Sequence, residues 1–130
     1  MFIAPQTTAS AAQAYAAPTP GAMGTNIRAI AKMGNAADLV LSLKSSDDAT
    51  GTNAADYPVN VPIYVDGVKQ ADAKAVTIDD ATGNFIVDVC IDPLTIPAGK
   101  FVGLAYANSN AGNLVTTMIV EDVTDKPTAS

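Results

Sequence analysis

Histidine and tryptophan are absent from this 130-residue chain, and cysteine occurs once, as Cys90. Each absence removes a class of chemistry. Without histidine, a serine or cysteine nucleophile lacks its usual base, and zinc loses its commonest ligand. With one cysteine no intramolecular disulfide can form, so the fold does not depend on an oxidising compartment. Cys90 falls in an apolar stretch, where the expectation is a small buried hydrophobe rather than a reactive thiol. Aromatics are only 5%, and much of the 48% hydrophobic content is alanine, which leaves Val, Ile and Leu to build the core. Side chains of that kind pack well on pleated sheets.

Positive charge is scarce too. Six lysines and one arginine face twelve aspartates and one glutamate, for a net charge of −6. Nucleic-acid binding needs a basic stripe to displace counterions from phosphates, and seven scattered cations do not make one. No basic amphipathic segment suits an anionic membrane, no apolar run reaches the ~18 residues of a bilayer span, and the first residues lack the pattern of a signal peptide. The expectations are no nucleic-acid partner, no membrane, and synthesis in a cytoplasm without export.

What the chain does have is period-2 alternation. In residues 84–107, NFIVDVCIDPLTIPAGKFVGLAYA, the residues Phe85, Val87, Val89 and Ile91 alternate with Ile86, Asp88, Cys90 and Asp92, the signature of a strand with one face in a core. Pro93 and Pro97 then stop the ladder, Gly99 supplies a corner, and a second strand follows over 101–107. Upstream, Ile27, Ala29, Ala31 and Met33 alternate as a strand, with a short helix as the rival reading. Residues 38–44 alternate likewise, residues 45–56 read as a long polar loop, and Val59, Val61, Ile63 and Val65 form a strand that Pro62 places at an edge or bulge. Asp66-Gly67 between Val65 and Val68 is the strongest hairpin signal, since a type I′ turn needs positive φ at both central residues. Residues 75–78 and 114–123 complete about seven strands at intervals of roughly ten residues, as in an antiparallel β-sandwich or jelly roll. One domain, residues 25–123, is therefore expected, followed by a polar tail over 124–130.

Residues 1–24, MFIAPQTTASAAQAYAAPTPGAMG, differ in kind. They carry no charge and no core-forming period, and their prolines favour extended backbone. They read as an arm, with Phe2, Ile3, Pro5, Tyr15, Pro18 and Pro20 as its partner-binding residues, contributing to assembly and little to the folding of the domain.

The candidates for chemistry weigh lightly. DDATG occurs at 47–51 and again at 79–83, each time with Asn53 or Asn84 close behind. Clustered carboxylate and amide oxygens suit calcium, but the spacing breaks the EF-hand rule, and the same residues serve turns for backbone reasons. Asp88 and Asp92 share one side of a strand, as paired catalytic carboxylates could, yet the aromatic platforms of a glycosidase cleft are missing. No catalytic residue, metal or cofactor is expected, and the chain reads as a non-enzyme.

A compact β core with an extended neutral arm resembles the head-decoration, or cement, proteins of tailed bacteriophages. The likeness lies in size, in the arm at 1–24, and in the core from VNVPIYVDGV through IPAGKFVGLAYA. It implies a structural virion protein on the capsid surface, homo-oligomeric, clamping the major capsid protein or other virion subunits through arm and domain. Two rival readings are a carbohydrate- or receptor-binding sandwich, whose platform would need Tyr57, Tyr64 and Tyr106, and a pilus-type subunit that donates its arm as a strand.

Overall fold

The computed structural model describes residues 2–3, 6–7, 15, 17, 24–106 and 112–123. Among these the chain is all β, with no α-helix. The strands are β1 (Phe2–Ile3), β2 (Gln6–Thr7), β3 (Gly24–Met33), β4 (Leu39–Ser46), β5 (Ala55–Asp56), β6 (Ile63–Val65), β7 (Val68–Lys69), β8 (Ala75–Ile78), β9 (Gly83–Ile91), β10 (Phe101–Tyr106) and β11 (Leu114–Val123). The pairings among them are antiparallel. One sheet runs β1-β11-β3-β9-β6-β7, with β2 also on β11, and the other runs β10-β4-β5, with β8 also on β4. Because β3 takes one whole side of β11, β1 and β2 lie end to end along its other side. By the same logic β8 and β5 follow one another along the side of β4 that β10 leaves open.

Alternation decides which residues the sheets bury. Ile27, Ala29, Ala31 and Met33 of β3 and Val87, Val89 and Ile91 of β9 face Leu39, Leu41 and Leu43 of β4 and Val102, Leu104 and Tyr106 of β10, all in one core cluster. The strict two-residue burial of β3 resolves the choice against a helix. Strand direction then fixes the two ends of the sandwich. Gly24, Ser46, Ile91 and Phe101 lie at one end, and Met33, Leu39, Tyr106 and Leu114 lie at the other.

Two short turns are tied to neighbouring strands by side chains. At Asp66-Gly67 both φ angles are positive, 50° and 80°, and Val65 pairs with Val68, as the hairpin signal requires. The tip is pinned to β9, because Asp66 N–H donates to the Ile86 carbonyl at 2.7 Å and Asp66 Oδ1 accepts from Ile86 N–H at 2.8 Å. At the Met33 end Asn113, fully buried, accepts from the N–H groups of Gly34 and Asn35, each at 3.0 Å, and donates to the Ala37 carbonyl at 2.7 Å. One side chain thus ties the β3–β4 turn to the start of β11.

Three local expectations are corrected. Cys90 is half-buried on the outer side of β9, not in the core, because alternation that buries Val89 and Ile91 turns position 90 outward; its Sγ donates to Asn26 Oδ1 at 3.3 Å. Residues 45–56 are not one loop: Ser45 and Ser46 continue β4 and are buried, and β5 pairs with the end of that strand. The strand expected over 59–65 shrinks to Ile63–Val65, with Val61 bridging Ala73 alone and Val59 exposed, since Pro62 breaks the ladder as a donor while its carbonyl accepts from Cys90 N–H. The corner expected after β9 is present: the ladder stops before Pro93, Gly99 has positive φ (75°), and between them lies a 3₁₀ turn, Pro93–Thr95, capped by Asp92 Oδ1, which accepts from Leu94 N–H at 2.9 Å.

Candidate interaction site

The candidate site begins in the first DDATG segment. Asp48 accepts four hydrogen bonds from its own loop: Thr50 N–H at 3.0 Å, the Thr50 hydroxyl at 2.8 Å, Thr52 N–H at 3.1 Å and the Thr52 hydroxyl at 2.6 Å. Donors that need the charged form hold its carboxyl far below the usual carboxylate range. Asp47 accepts from Asn53 Nδ2 at 2.8 Å and pairs with Lys100, which lowers its pKa as well and ties the loop to the corner before β10. Ser46 Oγ donates to the Asp48 carbonyl, and the left-handed φ of Gly51 (87°) and Asn53 (53°) closes the loop. The second DDATG segment, 79–83, is an exposed turn in which Gly83 alone has positive φ. The turn reading therefore fits both segments, and only the first is braced.

Against this braced loop sits Tyr15. Its N–H donates to the Ala49 carbonyl at 3.0 Å, and a β-carbon on Gly51 would lie 2.8 Å from its ring, a distance atoms do not sustain. The side chain is 3% exposed, and burial raises its phenol pKa, with nearby Lys44 acting in the opposite direction. Lys44 lies on the side of β4 that faces away from the core, where Ser46 and Gly103 are also buried. Tyr15 is thus held by its own chain, beside the outer face of the small sheet. At this residue the arm packs against its own domain.

The other arm positions divide. Phe2 and Ile3 lie in β1, opposite Ile119 and Met118, and Gln6 and Thr7 lie in β2, opposite Val115 and Leu114. Both short strands keep one register with β11, although β11 shifts register against β3 between Val115 and Thr117. Pro5, Pro18 and Pro20, and the tail over 124–130, fall outside the described residues. Apolar alternation is too weak in MFIAPQT to signal a strand, and nothing local marks Tyr15 as a core residue. Its seat depends on Gly51, which is distant in sequence.

The remaining candidates have structural partners. Asp88 forms a two-pronged bond with Arg28, at 2.7 and 3.1 Å, and Asp92 caps the 3₁₀ turn, so each has its own structural partner. Tyr57 is fully buried with its hydroxyl 2.6 Å from Thr95 Oγ1; since that hydroxyl already donates to the Asp92 carbonyl, the tyrosine is the donor. Tyr106 is 3% exposed and Tyr64 half-buried, so these three tyrosines form no exposed aromatic platform. Among the described residues, four basic side chains are engaged by aspartates, in the pairs Arg28–Asp88, Lys44–Asp56, Lys69–Asp72 and Lys100–Asp47. Among the described residues no group of three or more acidic, cysteine or histidine side chains could hold a metal ion, and no helix is long and apolar enough to cross a membrane. No protein-family model, no curated protein and no solved structure matches the chain.

Proposed function

We propose that this chain is a structural assembly protein, a decoration subunit that binds the outside of a bacteriophage capsid and clamps neighbouring capsid subunits. The observation that carries the reading is the arrangement of the arm: strand-forming at its tip, uncharged throughout, and seated on the domain at Tyr15 rather than merely trailing from it. Such an arm binds by backbone ladders and apolar contact, the β-addition mode of recognition, and an assembly offsets the ordering cost with shared interfaces. The major capsid protein or another virion subunit is the proposed partner, and the subunit is proposed to be homo-oligomeric. No nucleic acid, membrane, catalytic step or cofactor enters this proposal.

The test mixes purified full-length protein with undecorated capsid shells and, separately, with glycans and DNA. Shell binding that loses less than about tenfold between low and moderate salt supports the reading, because a contact dominated by apolar burial and backbone ladders releases few counterions. A nucleic-acid complex would lose on the order of a thousandfold. Glycan binding without shell binding would replace the proposal with the receptor-binding alternative.

A further inference from the structure

We propose that the outer edge of β11 is a strand-acceptor site, and that in the assembled protein its occupant is residues 2–7 of a second copy of this chain. The inference deepens the assembly reading above and rests on it. Four observations carry it.

The site holds both short strands of its occupant in one register. Phe2, Ile3, Gln6 and Thr7 pair with Ile119, Met118, Val115 and Leu114 without any shift of register between the two short strands. The site also requires an occupant. β11 spans ten residues, LVTTMIVEDV, and an uncovered edge of that length and apolarity templates uncontrolled pairing with other chains. In addition, the ladder is indifferent to whose strand it takes. The same backbone bonds form within a chain or between chains, so exchange among identical copies gives up no contact.

The fourth observation concerns the anchors. Thr7 lies opposite Leu114, at the end of the sandwich that holds Met33 and Leu39, whereas Tyr15 is bonded to Ala49, beyond Ser46 at the opposite end. The length of β4 between those ends is about 23 Å at ~3.3 Å per residue, and crossing from one sheet to the other adds about 10 Å at right angles, for a span of roughly 25 Å. Eight residue steps join Thr7 to Tyr15, and fully extended they reach about 26–29 Å. Closure within one chain leaves little slack. Short connections near their full reach favour handing the element to a neighbour. Tyr15, fixed on its own domain, is then the pivot from which the tip crosses to the next copy.

Disulfide trapping in a Cys90→Ser background tests this with full-length protein. Phe2→Cys and Ile119→Cys are made as separate chains, mixed at high protein concentration, unfolded and refolded together, and oxidised. Exchange predicts a covalent dimer on a non-reducing gel, well above that from Phe2→Cys mixed with Ala81→Cys, an exposed position in the turn before β9. Thr7→Cys with Leu114→Cys serves as a second register pair should the first disturb folding. Dimer no greater than the control from both pairs, while the double variant Phe2→Cys/Ile119→Cys closes entirely within its own chain, would overturn the proposal. Shell binding is read separately. Cross-linked dimer without shell binding retains the exchange and removes the capsid role, and shell binding with only intrachain links does the reverse.

Discussion

The ring of Tyr15 occupies the space where a side chain on Gly51 would begin, its Cε1 2.8 Å from that position. Gly51 also has φ of 87°, so any other residue there is strained by its backbone and collides with the ring. Gly51→Ala is expected to destabilise the domain by about 1–3 kcal/mol, and Tyr15→Ala by about 3 kcal/mol. Because both changes act on one contact, the double variant should lose clearly less than the sum. Urea unfolding of the four proteins measures this; strict additivity would show that Tyr15 does not depend on Gly51.

Removal of residues 1–23 takes away the Tyr15 seat and uncovers β11 together. The truncated chain is expected to melt several degrees below the full-length protein and to aggregate on refolding. Calorimetry and light scattering check both outcomes. An unchanged melting point would make the arm an appendage after all.

Asn113 serves three backbone groups with one side chain, so Asn113→Ala leaves two donors and an acceptor without their partner. A loss of about 3 kcal/mol is expected in chemical unfolding. Asn113→Asp keeps the acceptor for Gly34 and Asn35 but cannot donate to the Ala37 carbonyl when ionised, and its effect should fall between wild type and alanine.

At the hairpin, Gly67 has φ of 80° and nothing within 4 Å of a β-carbon placed on it. Gly67→Ala therefore meets backbone strain alone, expected at about 1 kcal/mol. Asp66→Asn keeps a residue suited to positive φ and should be the milder change in the same unfolding assay.

Acid stability follows from Asp47 and Asp48, whose carboxyls are held below the usual range by the loop donors and Lys100. A lowered native pKa means that their stabilisation is complete above the unfolded value of about 3.9 and drains away as pH falls below it. The melting temperature is thus expected to be level through neutral pH and to drop below about pH 4. Asp48→Asn should start lower at neutral pH and lose less on acidification. In alkali the sign reverses. Burial raises the pKa of Tyr15, Tyr57 and Tyr106, so their contribution is complete below about pH 10 and lost above it. Their ultraviolet titration should lag behind free tyrosine until the chain unfolds.

Fold class was legible because it rests on local signals. Two-residue alternation put Val87, Val89 and Ile91 on one face before any partner was known, and Asp66-Gly67 announced its own turn geometry. The bounds of β11, 114–123, follow from the polar segments that flank it. Other features have no local signature. Ser45 and Ser46 look like loop residues, and become strand residues because β10 offers a ladder partner to both and β5 offers Ser45 a second. Cys90 looks like core, and turns outward because only one face of β9 meets the second sheet. The two DDATG segments are identical in sequence, yet only the first is braced, since Lys100 and Asn53 reach Asp47 there. The arm is the clearest case. Composition alone determined that residues 1–24 carry no charge and no period of their own. Where their strands and Tyr15 attach was decided by the tertiary structure, because an edge strand takes its order from the ladder it joins, and a lone tyrosine is buried only where a distant glycine leaves room for its ring.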